Sequence, residues 1–105
     1  MYRVFAIPAT RFSGKQGTDP HVLGPSGGWG DYLWWQENDR KGLARVNELI
    51  RDTLRSPFSG IGKPEPLKGN LKGWWSRRIT QEHRLVYRCD AETVVVLQCR
   101  FHYDR

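Results

Sequence analysis

Residues 62–68 read Gly-Lys-Pro-Glu-Pro-Leu-Lys, so a single carboxylate, Glu65, stands between Pro64 and Pro66 in basic surroundings. Each proline fixes its own φ and biases the residue before it towards extended backbone, which leaves Glu65 few conformations to explore. A restrained carboxylate beside cations that suit a phosphodiester has the makings of a general base for metal-free RNA cleavage. The plain alternative is a loop carboxylate that only neutralises its neighbours. Arg84, a guanidinium with the planar fork that matches phosphate, and His102, an imidazole near the chain end, are the other groups such chemistry would need.

The charge distribution agrees with an anionic ligand. The chain of 105 residues carries 17 basic and 11 acidic side chains, a net charge of +6. Between Arg55 and Arg84 lie seven cations (Arg55, Lys63, Lys68, Lys72, Arg77, Arg78, Arg84) against two acids, Glu65 and Glu82. Such a segment attracts a polyanion, nucleic acid above all, although a solvated basic face has the same composition. No apolar run approaches the roughly 18 residues of a membrane span, and Val4–Ile7 is too short for a signal-peptide core, so a cytoplasmic protein is expected. Cys89 and Cys99 are expected to be reduced and structural, with no metal site.

The positioning elements follow from periodicity. The chain is long enough for one domain. Tyr2–Ile7 has the composition of a strand, and Pro8–Gly30, with six glycines and three prolines, reads as loop. Residues 1–28 therefore separate as a leader from a domain over 29–105. An aromatic-rich helix is expected over Asp31–Asn38. A second follows from Arg40 to Leu54, capped by Asn38 or Asp39, with Leu43, Val46, Leu49, Ile50 and Leu54 on one stripe. Gly42 weakens its start, and Ser56-Pro57-Phe58-Ser59-Gly60 ends it. Trp74–Ile79, His83–Arg88 and Thr93–Tyr103 read as strands joined by short links, hence an antiparallel meander. The fold class is α+β, two helices on one face of a small, mainly antiparallel sheet.

Alternation then sorts the strand side chains. Val95, Leu97, Cys99, Phe101 and Tyr103 share one side of the last strand, and Val94, Val96, Gln98, Arg100 and His102 the other. With helices on the more apolar side, Arg84, Arg100 and His102 are expected on the uncovered face, joined by Arg78, with Tyr103 at the rim. His83 falls with core-facing residues and is read as structural. Tyr32 and Phe58 are read as core, Trp34-Trp35 as core or subunit interface, and Trp74-Trp75 as divided between core and groove rim.

Several motifs, in order, resemble the YoeB/Txe toxins of the RelE superfamily of toxin–antitoxin endoribonucleases. They are Asp31-Tyr32-Leu33 with Trp35, Asn47-Glu48-Leu49-Ile50, residues 57–67 (Pro-Phe-Ser-Gly-Ile-Gly-Lys-Pro-Glu-Pro-Leu), Trp75-Ser76-Arg77-Arg78-Ile79, residues 82–87 (Glu-His-Arg-Leu-Val-Tyr), and Arg100-Phe101-His102-Tyr103. The resemblance implies a microbial-RNase-like α+β fold and metal-independent cleavage of mRNA, typically in the ribosomal A site. It implies that Glu65 is the general base, that Arg84 lies beside the phosphate, and that His102 and Tyr103 form the closing catalytic pair. Lys68 and Arg78 match residues that hold RNA, and Lys63 and Arg77 are expected to assist. The implied partners are mRNA, the ribosome and a YefM/Axe-type antitoxin, with homodimerisation and operator DNA contact only through the antitoxin. No cofactor and no membrane contact are implied. Two departures stand out. Gly24-Pro25-Ser26-Gly27-Gly28 occupies the place of the family's first strand, leaving His21–Leu23 or Tyr2–Ile7 to supply one, and Asp104-Arg105 follow Tyr103. The rival expectation is a non-catalytic nucleic-acid- or antitoxin-binding module of the same fold.

Overall fold

The computed structural model describes residues 5–8, 27–90 and 93–101. Strand β1 (Phe5–Pro8) is followed by helices α1 (Gly27–Asn38) and α2 (Arg40–Arg55), then by strands β2 (Glu65–Pro66), β3 (Trp75–Arg78), β4 (Arg84–Asp90) and β5 (Thr93–Gln98). The strands form one sheet in the order β1-β5-β4-β3-β2, with every neighbouring pair antiparallel. This is the α+β arrangement expected from the periodicity.

The second helix forms where its apolar stripe predicts. Asp39 is the N-cap, its Oδ1 accepting from the Gly42 N–H at 2.9 Å, and Val46, Leu49 and Ile50 are buried. Gly42 has a packing reason that propensity hides. A Cβ there would run into the Trp35 indole, which is 1 % exposed. Helix α1 starts four residues before the expected Asp31. Its tie to the sheet is double: Trp35 Nε1 donates to the Cys99 carbonyl at 2.6 Å, and the Cys99 N–H donates to Asp31 Oδ2 at 3.0 Å.

Three strands differ from expectation, one of them being β5, which ends at Gln98 where a strand to Tyr103 was expected. Glu65–Pro66 is itself a strand, paired with Trp75 and Ser76 at the sheet edge, where a proline costs no ladder bond. The missing first strand comes from Phe5–Pro8, which pairs with Thr93–Val96. Residues 2–4, His21–Leu23, residues 91–92 and residues 102–105 lie outside the described residues.

The sidedness of β5 requires a correction. Val94, Val96 and Cys99 belong to the core under the helices, with Leu85 and Tyr87, while Leu97 joins Leu67 and Val86 in a second cluster on the far side. The register shift between Val86 and Tyr87 brings Cys99 to the side of Val94 and Val96: Tyr87 faces Val96 but Val86 faces Gln98, and the extra residue breaks simple alternation. The far side is therefore not bare. Leu67, Val86 and Leu97 are buried there, with Leu71 and Trp74 packed against them. Phe58, expected in the core, is 58 % exposed and lies against Trp75 with ring centroids 4.7 Å apart.

Candidate active site

Register carries Glu65 to its place. Leu85 and Tyr87 point into the helix-side core, so Arg84, Val86 and Arg88 take the far side of β4. Directly paired antiparallel residues share a face. Ser76 pairs with Val86, Arg78 with Arg84, and Glu65 with Ser76, so Glu65, Arg78 and Arg84 occupy one face across three strands. Strand spacing of about 4.8 Å and a rise of about 3.4 Å per residue put the Cα atoms of Glu65 and Arg84 roughly 12 Å apart. Two long side chains can close on one phosphate across that gap. Glu65, Lys63, Lys68 and Arg78 are all exposed.

Arg84 is almost buried, at 8 % exposure, and its guanidinium is already oriented. Its Nη1 donates to the carbonyls of Thr80, Gln81 and His83 at 2.8, 3.0 and 3.1 Å. Among the described residues no acceptor meets its Nε or Nη2, which leaves that side of the fork for an anionic ligand. Its backbone N–H donates to the Phe101 carbonyl at 3.1 Å, and the Phe101 N–H donates to His83 Nδ1 at 2.7 Å. His83 also meets the Trp35 indole edge-on at 5.1 Å, in keeping with the structural role expected for it.

The approach to Glu65 is built by a buried network. Arg77 is fully buried, its Nε donating to Tyr87 Oη at 3.1 Å, Nη1 to Asp52 Oδ2 at 2.6 Å and to the Ile61 carbonyl, and Nη2 to the Ser56 and Ser59 carbonyls. Tyr87 Oη in turn donates to the Pro57 carbonyl at 2.7 Å. Asp52 also accepts from Arg55 and the Ile61 N–H. Hydrogen bonds from Arg55, from the Ile61 N–H and from Arg77 hold its carboxyl down at about 2. The chain then passes Gly62, whose φ is +78° and whose carbonyl accepts from the Arg78 N–H at 2.7 Å, and Lys63, with φ +52°. A Cβ at Gly62 would come within 2.7 Å of Leu49 Cδ2, so glycine is required twice over.

Two expectations fail on this geometry. Arg77 is buried and turned away from the face that Glu65 and Arg84 share. It sits opposite Leu85 on the helix side with its fork spent on Asp52, Tyr87 and three loop carbonyls, and Arg78 alone of the pair faces the site. Arg100 does not join Arg84. Its guanidinium lies over the Trp34 ring of α1 at 3.8 Å and the Phe101 ring at 4.6 Å. His102 and Tyr103 lie outside the described residues. The Asp52–Arg77–Tyr87 network was missed at the level of sequence because its members are spread over 36 positions of chain and Asp52 falls off the apolar stripe of α2. Cys89 and Cys99 are free thiols, and burial pushes Cys99 well above its ordinary value. Among the described residues no three His, Cys, Asp or Glu side chains cluster as a metal site, and no helix is long and apolar enough to cross a membrane.

The geometry can be set beside known proteins. Residues 25–103 match the family model described as the YoeB-like toxin of bacterial type II toxin–antitoxin systems. The chain is 59 % identical over 75 residues to Toxin YoeB of Escherichia coli (strain K12), covering 71 % of this chain and 89 % of that protein. Its fold is similar to a YoeB/ParE toxin from Agrobacterium tumefaciens, with a TM-score of 0.70, 53 % identity, and coverage of 73 % of this chain and 92 % of the other. It is also similar to YoeB of Staphylococcus aureus. In the heterotetrameric YoeB–YefM complex the TM-score is 0.69 at 45 % identity, covering 72 % and 88 %. In a YoeB dimer it is 0.69 at 45 %, covering 73 % and 90 %.

Proposed function

This chain belongs to the YoeB-like toxins of bacterial type II toxin–antitoxin systems, and from that premise we propose that it is a metal-independent endoribonuclease that cuts mRNA in the ribosomal A site and so stops translation. One observation carries the reading. The register sets an exposed, proline-flanked carboxylate and a pre-oriented guanidinium on the same face, with basic side chains around them.

In the proposed reaction Glu65 takes the proton from a ribose 2′-hydroxyl and that oxygen attacks the adjacent phosphorus. The bond to the leaving 5′-oxygen breaks as His102 protonates it. The products are a 2′,3′-cyclic phosphate and a 5′-hydroxyl end. Arg84 directs Nε and Nη2 at the phosphoryl oxygens, where charge grows in the transition state. Its Nη1 bonds to three carbonyls spare it reorganisation during the step. Tyr103 orients the phosphate or stacks on a base, and Lys63, Lys68 and Arg78 hold the flanking backbone. The support for His102 is covalent: it follows Phe101, whose carbonyl is bonded to the Arg84 N–H.

Similarity to the YoeB–YefM complex and the YoeB dimer supports a YefM/Axe-type antitoxin as partner and a homodimeric state in the cytoplasm. Operator DNA would be met through the antitoxin. The test is cleavage by the purified chain on translating ribosomes, with the cut site and end chemistry mapped for wild type and Glu65→Gln. The expected outcome is A-site cuts with cyclic-phosphate ends, lost in the variant. Intact mRNA with wild type, or equal cleavage by both proteins, overturns the reading.

A further inference from the structure

We propose that His83 is a positioning residue for this site: its neutral imidazole clamps the backbone of Phe101 against Arg84, and protonation of that imidazole opens the clamp. The kinetic consequence rests on the nuclease reading above; the clamp itself does not.

Both polar groups of the Phe101 backbone are engaged by consecutive residues. The Phe101 N–H donates to His83 Nδ1 at 2.7 Å, and the Phe101 carbonyl accepts from the Arg84 N–H at 3.1 Å. An amide N–H can only donate, so Nδ1 must carry a lone pair and the ring proton must sit on Nε2. The acceptor is well held. The His83 ring meets Trp35 edge-on at 84°, and Trp35 is itself tied to the Cys99 carbonyl at 2.6 Å. The Phe101 ring packs against His83 at 5.5 Å and under the Arg100 guanidinium at 4.6 Å.

Phe101 has a φ of +61°, in the left-handed region that a bulky L-residue occupies only when its surroundings over-determine it. The two backbone bonds and the ring contacts supply that restraint. They fix the point from which the chain runs on to His102, next to the residue that addresses the phosphate. An imidazolium at position 83 would turn an N–H towards the Phe101 N–H, and the restraint would be lost.

Charged groups face the ring from several elements. Burial lowers its proton affinity, Glu82 from the same turn raises it, Arg100 beyond β5 and Arg84 on β4 lower it, and Asp39 between the helices raises it. The net direction is down, so the ring is neutral at neutral pH and the clamp is closed. Two groups must then be deprotonated for cleavage, Glu65 as the base and His83 as the clamp. The acid limb of the pH–rate profile therefore steepens beyond a single-proton slope.

The experiment uses the full chain in two arms. In the first, nitrogen NMR without RNA follows the His83 ring and the Phe101 amide through an acid titration. The expected result is an Nε2–H ring at neutral pH and a Phe101 amide resonance that moves with the His83 titration. A Phe101 amide indifferent to that titration overturns the clamp. In the second arm, single-turnover cleavage is measured against pH for wild type, His83→Ala and His83→Asn. Asparagine offers an oxygen where Nδ1 stood and does not titrate. His83→Ala is expected to lose about 10- to 100-fold in rate at saturating RNA, with RNA affinity unchanged, since small displacements at a reacting centre cost that much. His83→Asn is expected to recover most of the rate with a shallower acid limb. A wild-type rate in His83→Ala, or an unaltered acid limb in His83→Asn, overturns the positioning role. Should His83→Ala not fold, the asparagine variant and the wild-type titration still decide. A wild-type chain that never cuts RNA overturns the nuclease reading alone, and the NMR arm decides the clamp.

Discussion

Arg77 and Arg78 are neighbours with the same side chain and opposite fates. The period of two sends Arg77 into the Asp52–Tyr87 network and Arg78 out to the face that Glu65 and Arg84 share. Charge counting treats the two as equal, and only the facing of β3 separates them. For the chemistry, Glu65→Gln is expected to slow single-turnover cleavage by about 10²–10⁴-fold while RNA binding persists, the usual worth of one general base. A filter-binding assay beside the rate measurement checks both halves. Arg84→Lys keeps the charge but gives up the fork and its three carbonyl bonds, so a loss of about 10²–10³-fold at saturating RNA is expected. Full rescue by saturating RNA would assign Arg84 to binding instead.

At the scale of elements, the loop from Ser56 to Ile61 carries the chain from α2 towards Glu65, and it is held from beneath by charge. Asp52→Asn leaves the fully buried Arg77 without its carboxylate, which costs about 3–5 kcal/mol, whereas Arg77→Met leaves Asp52 its pair with Arg55 and the Ile61 N–H and should cost less. Both losses are read in urea unfolding, and an Arg77→Met chain as stable as wild type would contradict the network. Gly42 makes a second element-scale prediction, against propensity. Alanine normally gains about 1 kcal/mol over glycine inside a helix. Here the Cβ meets the Trp35 ring, so Gly42→Ala should destabilise the chain, read as a lowered Tm with α1 loosened from α2.

For the whole molecule, pH acts on stability and on catalysis through different groups. The Asp52 carboxyl titrates at about 2 in the folded state against an ordinary 3.8, so its contribution is complete above the higher value and is lost as pH falls towards the lower. Urea midpoints measured from pH 6 down to pH 2, conditions chosen to bracket that range, should fall in wild type and fall less in Asp52→Asn. Strand β1 matters at this scale too, because it pairs along β5 and covers an edge that would otherwise be open to other chains. Deleting residues 1–23 should speed amide exchange along that edge of β5, and unchanged exchange would mean the pairing is dispensable.

Residue types and spacing were enough to determine the two helices, the antiparallel meander, the proline-flanked Glu65 and the family, because each is written in local periodicity or in a contiguous motif. They also set His83 among the core-facing residues, where it lies. Three outcomes needed the tertiary structure. The register shift at Val86 and Tyr87 altered the facing of β5, since one extra residue exchanges the two sides of a strand. The packing of α1 drew Arg100 onto Trp34, away from Arg84. The buried carboxylate of Asp52 claimed Arg77, because an acid in the interior must find its countercharge wherever the chain brings one within reach. Local pattern says what a side chain is and which way its own element turns it; which partner it meets is a property of the assembled chain.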